Sequence, residues 1–226
     1  MEKTGGKYET AAKCESGDET GTTLGWEREA GPLAGETVTI DFTSGTGELK
    51  TGSHDILCTS DEGTGEVSGA ATFTKVTFIS KGCKDSVFNQ SCNSSEPAGK
   101  AGEIITNELT AELVYLKSAA KTPAGLLTLP TVGSIFTRIS CVGGLVKESV
   151  TGELIGEFAG TTINKMAAST ELLFEENAGK QLWTKVEEGA ATHQLIAFGE
   201  PAVEIGTETG KLLVNGVAKS GELMFP

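Results

Sequence analysis

Arginine is nearly missing from this chain: Arg28 and Arg138 are the only two in 226 residues, and 31 acidic residues against 18 Lys plus Arg leave a net charge of −13. A chain so acidic cannot offer the basic groove that nucleic acid needs or a basic face for anionic lipid, so neither is an expected partner. No run of about 18 apolar residues occurs, which removes a membrane-spanning helix and predicts no membrane insertion. Met1-Glu2-Lys3-Thr4-Gly5-Gly6 also lacks the apolar centre of a signal peptide, so the chain reads as cytosolic or as an exported protein whose leader is absent from it. Histidine is limited to His54 and His193, and no Cys-x-x-Cys, Gly-x-Ser-x-Gly or phosphate-binding glycine loop is present.

Glycine, by contrast, is abundant. Thirty glycines make up about 13% of the residues, nearly double the usual share, while 38% hydrophobic content matches an ordinary globular core. Turns should therefore be frequent and long helices rare. Residues 1–21 are polar and read as a surface arm; from Thr22 onward, runs rich in Thr, Val, Ile and Phe at 36–42, 53–58, 71–80, 134–141 and 194–198 read as strands. Small-residue and glycine pairs recur before strand restarts, in Thr46-Gly47-Glu48-Leu49, Thr151-Gly152-Glu153-Leu154, Thr209-Gly210-Lys211-Leu212 and Ser220-Gly221-Glu222-Leu223.

Two segments carry period-two patterning. In 105–115, Ile105, Leu109, Ala111, Leu113 and Tyr115 share one parity, and strand is preferred to the helix that the same spacing also permits. In 169–175, Thr170, Leu172 and Phe174 alternate, and Asn177-Ala178-Gly179-Lys180 predicts a hairpin turn into 181–186. Residues 93–102 and 117–125 are the best linkers, but neither is long, so 22–226 reads as a single β domain. The expected fold is all-β, an antiparallel β-sandwich with a β-barrel as the alternative. Its predicted core is Phe73, Val76, Phe78, Ile105, Leu109, Leu113, Ile135, Ile139, Leu172, Phe174 and Phe198.

Five cysteines stand at 14, 58, 83, 92 and 141. Their spacing lacks the close ligand pairs of a zinc site. Cys58 and Cys141 end strand-like runs, and Cys83 and Cys92 bracket a polar loop, so all four are expected in disulfides and the compartment is expected to be oxidising. The expected pairing joins Cys83 to Cys92 and Cys58 to Cys141 with Cys14 spare; a bridge from Cys14 to Cys58 is the main competitor.

A family resemblance accompanies these positions. Cys58-Thr59-Ser60, Gly63-Thr64-Gly65, Val76-Thr77-Phe78, Gly82-Cys83, Cys92 and the run from Gly102 through Leu109 resemble, in that order, an uncharacterised family of secreted proteins abundant in soil actinobacteria. Cys141, Gly152, Ile163-Asn164-Lys165-Met166, Phe174, Gly179-Lys180-Gln181 and Glu187-Glu188-Gly189 continue the similarity, which spans 26–189. The resemblance implies export and a disulfide-bearing β fold and implies no activity. Cys14 and 203–226 depart from the pattern.

Catalytic chemistry finds little purchase. His54 lies beside Asp55, and His193 lies in Ala191-Thr192-His193-Gln194, neither in a nucleophile motif. The acidic pairs Asp18-Glu19, Asp61-Glu62, Glu175-Glu176 and Glu187-Glu188 are sequence neighbours, which on a strand point to opposite faces and not across a sugar. No metal or cofactor is expected, and no catalytic residue. Trp26 and Trp183 are the candidate binding residues, as sugar-stacking faces, although a lone strand tryptophan usually belongs to the core. The expected function is a non-enzymatic extracellular or cell-surface protein that binds a surface glycan or protein or self-assembles; a virion or filament subunit and a secreted hydrolase are the alternatives.

Overall fold

The structure is a computed structural model that describes residues 2–6, 24–26, 37–51, 54–116, 123–159, 166–167, 169–187, 191–197, 200–215 and 223–224. Of the 1–21 arm, only β1 (Glu2–Gly6) is described, and it pairs with β2 (Leu24–Trp26) as a two-stranded sheet. Cys14 and Phe198 lie outside the described residues.

Strands dominate the rest. The first half carries β3 (Thr37–Ser44), β4 (Gly47–Lys50), β5 (Ile56–Cys58), β6 (Ser60–Val67), β7 (Thr72–Lys81), β8 (Lys84–Asp85), β9 (Cys92–Glu96), β10 (Glu103–Ile105) and β11 (Leu109–Tyr115). The second half carries β12 (Ala124–Pro130), β13 (Ile135–Cys141), β14 (Val146–Gly152), β15 (Leu154–Ala159), β16 (Met166–Ala167), β17 (Ser169–Phe174), β18 (Glu176–Asn177), β19 (Lys180–Gln181), β20 (Leu195–Ala197), β21 (Glu200–Asn215) and β22 (Leu223–Met224). The all-β expectation holds, and every described strand pairing is antiparallel.

Of the two expected arrangements, the pairings give the barrel. The ladder runs β17-β15-β12-β11-β7-β6-β3-β21 and returns to β17, a cycle without free edges. A second sheet grows from the first residues of β21, through β20, β14, β13 and β9 on one side and β4, β5 and β8 on the other. A bridge between Lys84 and Ser91 brings its two ends nearly full circle. The 16 residues of β21 belong to both sheets, pairing with β20 and β4 up to Ile205 and with β17 and β3 beyond. The Thr209-Gly210 step expected to turn is therefore inside a strand, paired on both sides.

One contiguous apolar core fills both sheets, from Phe42, Phe73, Leu126 and Leu172 to Ile56, Phe136, Ile139 and Leu195. Local register explains its details. Phe42 on β3, Gly63 on β6 and Phe78 on β7 are aligned across three strands, and because Gly63 has no side chain the two rings meet over it, with centroids 5.3 Å apart. In β7 the inward residues are Phe73, Val76 and Phe78, a spacing that strict alternation forbids. Lys75 stands at φ 53° at a shift in register against both β6 and β11, a bulge whose extra residue returns Val76 to the interior.

The same physics corrects part of the predicted core. Phe73, Val76, Phe78, Leu109, Ile139, Leu172 and Phe174 are buried, whereas Ile105 and Ile135 are half-buried, as is Leu113, which packs against the core. The 105–115 pattern is two strands, β10 and β11, separated by 106–108, and the break changes phase so that Ile104 and not Ile105 is buried. The hairpin turn at Ala178-Gly179 forms with both residues at positive φ, yet it joins only the two-residue strands β18 and β19; β17 pairs with β15 and β21 instead.

The disulfides form between the four expected cysteines but with different partners: Cys58 with Cys83 and Cys92 with Cys141. This corrects the pairing of Cys83 to Cys92 and of Cys58 to Cys141, and the register supplies the reason. Ser60 opposes Lys81 in the β6–β7 ladder, so continuing that ladder by two residues sets Cys58 opposite Cys83, while Cys141 opposes Cys92 directly. Cα separations of 4.0 and 4.1 Å follow from those facing positions. The loop between Cys83 and Cys92 does close, with the Cys92 N–H donating to the Cys83 carbonyl at 3.0 Å, but each sulfur bonds to the neighbour on its other side. Two disulfides are consistent with an oxidising extracellular environment.

Candidate functional site

The loop 84–91 is held from below and open above. Cys83 and Cys92 at its roots are completely buried. Asp85 points inward because β8 alternates, Lys84 out and Asp85 in, and its Oδ1 accepts the N–H groups of Val87 at 2.9 Å and Phe88 at 2.8 Å. The Asp85 carbonyl accepts from Asn89, its N–H donates to Gln90, and the Ser86 N–H donates to the Asp55 carbonyl at 2.8 Å. With its backbone held in this way the turn presents apolar groups to solvent: Val87 is 62% exposed and Phe88 53%. Leu57, also exposed, lies opposite Lys84 on the adjoining strand.

Beneath the loop, three ionisable side chains converge. His54 stacks on Phe88 with ring centroids 5.9 Å apart and sets Nδ1 at 2.8 Å from Asp85 Oδ2, out of hydrogen-bond alignment. Glu148 is inward on β14, in phase with Val150, and 3% exposed. The Thr51 hydroxyl has one hydrogen, which it gives to the His54 carbonyl at 2.7 Å, leaving a long 3.5 Å contact to Glu148 Oε1; Oε2 has no hydrogen-bond partner. Burial pushes the Glu148 carboxyl up to about 7, with the charges of Asp85 and Asp55 adding to the rise and His54 and Thr51 opposing it. Two carboxylates thus face one imidazole, and a proton held on Glu148 near neutral pH relieves their repulsion.

Chemically, this arrangement can do two things. It can present a rigid apolar and aromatic tip, and it can take up or release a proton beneath that tip. Asp55, the sequence neighbour of His54, accepts the Thr51 N–H at 3.2 Å, and it is Asp85 that faces the imidazole. Neither Asp85 nor Glu148 was among the sequence candidates. Asp85-Ser86 before two apolar residues is a side-chain-capped turn signal, and the parity of Glu148 with Val150 marked an inward acid.

Trp183 and His193 have structural partners. Trp183 packs against Leu116, Leu127 and Ile155 on the outer side of the barrel, and its Nε1–H donates to Glu157 at 2.7 Å. Trp26 lies on β2, and only its backbone is described. A shared platform of Trp26 and Trp183 lies outside the described residues. His193 contacts Glu153 through Nδ1, and its N–H donates to the Thr184 carbonyl. Of the adjacent acids, Asp61 turns toward the interior while Glu62 pairs outward with Lys81, and Glu176 pairs with Lys50, as opposed strand faces require. Comparison with protein-family models, curated proteins and solved structures finds no match.

Proposed function

We propose that this protein is a non-enzymatic extracellular or cell-surface binding protein whose recognition element is the loop 84–91. The observation that carries the reading is the pairing of exposure with rigidity. Val87 and Phe88 are left in water on a turn capped from within and rooted in two disulfides, which lowers the backbone-ordering cost when a partner arrives. Aromatic residues on fixed loops supply contact area with few rotamers to freeze, which suits a surface glycan or protein. Export, implied by the family resemblance, agrees with the disulfides.

The test is retention on a panel of extracellular polysaccharides and envelope fractions, comparing the parent with Phe88→Ala and Val87→Ser. Both positions are solvent-exposed, so stability should hold within about 0.5 kcal/mol while retention falls at least tenfold. Equal retention by parent and variants would remove the loop from recognition.

A secreted hydrolase is a second reading, favoured by one observation: a buried Glu148 that titrates near neutrality beside a histidine has the properties of a proton-transfer group. A screen of ester, glycoside and peptide substrates decides it. Turnover abolished by Glu148→Gln would replace the binding reading.

A further inference from the structure

Four cysteines stand in one row across the second sheet. Leu57 opposes Lys84 in the pairing of β5 with β8, so Cys58 opposes Cys83 one step further along. The bridge between Lys84 and Ser91 sets Cys83 against Cys92 in the same way, and Cys92 opposes Cys141 in the pairing of β9 with β13. The order across the sheet is therefore Cys58, Cys83, Cys92, Cys141, each beside the next. Cys83, Cys92 and Cys141 are buried, so the row lies on the inward face, and Cys58 at one end is half-buried. Two bonds between neighbours use all four members only as the outer pairs, which are the bonds observed. A central bond would leave both ends unpaired, so full oxidation excludes it. The backbone nonetheless permits it. The Cys92 N–H donates to the Cys83 carbonyl at 3.0 Å, and a facing antiparallel pair joined in this way has its Cα atoms about 5.5 Å apart, inside the range a disulfide spans.

From this register we infer that the row is a thiol–disulfide relay: an external dithiol enters at Cys58, and the bond left after two-electron reduction joins Cys83 to Cys92. Exposure selects the entry, since the other disulfide joins Cys92 and Cys141, at 0% and 1% exposed. The external thiolate attacks Cys58 Sγ; a mixed disulfide forms, the bond between Cys58 and Cys83 breaks, and its electron pair leaves on Cys83 Sγ. Cys83 then attacks Cys92 from the side opposite Cys141, because Cys92 lies between them in the row. The bond between Cys83 and Cys92 forms, the one between Cys92 and Cys141 breaks, and the pair passes to Cys141 Sγ. The second thiol of the reductant closes on its partner sulfur and releases Cys58. The dithiol is thus oxidised to a disulfide by loss of two electrons, and its two protons end on Cys58 and Cys141. The loop 84–91 stays closed on itself but is no longer tied to β5 and β13, so its anchorage responds to thiols.

The experiment is limited reduction of the folded full-length chain with substoichiometric dithiothreitol in native buffer, then acid quench, alkylation of free thiols and tryptic mapping. The chain carries Cys14→Ser so that these four cysteines alone are followed, and cleavage after Lys81, Lys84, Lys100 and Arg138 puts each on its own peptide. In the two-thiol species, alkylated Cys58 and Cys141 with a peptide joining Cys83 to Cys92 are expected in at least about a tenth of the molecules. A smaller share, with the bond between Cys92 and Cys141 retained, would overturn the relay. So would equal amounts of a pair that are not neighbours, such as Cys58 with Cys141, which is the mark of scrambling in opened chains. Cys58→Ser with Cys141→Ser in the same background tests the geometry alone: oxidised glutathione should join Cys83 to Cys92 while the far-UV spectrum stays that of the parent. Two free thiols in a chain that keeps that spectrum would also overturn it. Every readout is made without a partner at Phe88, so failure here leaves the loop reading standing, and the reverse also holds.

Discussion

Replacing Glu148 by glutamine removes one titrating proton from the buried cluster and keeps its shape. In the folded protein burial raises this carboxyl from 4.5 to about 7. The folded state therefore binds the proton more tightly than the unfolded chain, and stability falls as pH rises between those two values. The contribution is fully present below pH 4.5 and is lost as pH passes through 7. A shift of this size corresponds to about 3 kcal/mol at 1.36 kcal/mol per unit. Glutamine stays neutral throughout, so Glu148→Gln should exceed the parent by about 2–3 kcal/mol at pH 8 and come within about 1 kcal/mol of it at pH 5. Urea unfolding at both values, with slopes compared to keep the unfolded state constant, reads the difference directly. A variant equally displaced at the two pH values, or less stable than the parent at pH 8, would refute the argument that ionising the buried Glu148 beneath Phe88 costs stability.

Two further outcomes follow from the backbone and its cross-links. Gly152 holds φ +99° and a Cβ there would lie 2.1 Å from the Gln194 carbonyl oxygen, so Gly152→Ala should cost about 2 kcal/mol or more; a melting temperature within 1 °C of the parent, by calorimetry, would contradict it. The disulfides span sequence separations of 25 and 49 residues. Serine at both Cys58 and Cys83 should lower stability by about 3.5 kcal/mol, and serine at both Cys92 and Cys141 by about 4 kcal/mol, in urea unfolding; losses below about 1 kcal/mol would mean the bonds constrain little.

Much of the fold was legible because strands of this chain alternate. Residues 71–80, 134–141 and 194–198 correspond closely to β7, β13 and β20, and most of the predicted core is buried. Where legibility failed, the cause was long-range. The parity of 105–115 breaks at 106–108 because β10 and β11 pair with different stretches of β7, and no local pattern announces that change. The Thr209-Gly210 step resembles the turn at Thr151-Gly152, but β17 and β3 pair on either side of it and hold it extended. Barrel against sandwich depends on whether β17 finds β21, a contact between distant residues. The candidate site was half readable: the bracketing cysteines and His54 stood out, while Asp85 and Glu148 meet it only after β8 and β14 are brought together.

That the loop 84–91 is fixed by bonds to its neighbours, and is not merely closed on itself, is tested most directly by non-reducing peptide mapping of native protein. The structure predicts disulfide peptides joining Cys58 to Cys83 and Cys92 to Cys141 at full occupancy. A peptide joining Cys83 to Cys92, or free thiols at all four positions under native conditions, would contradict it.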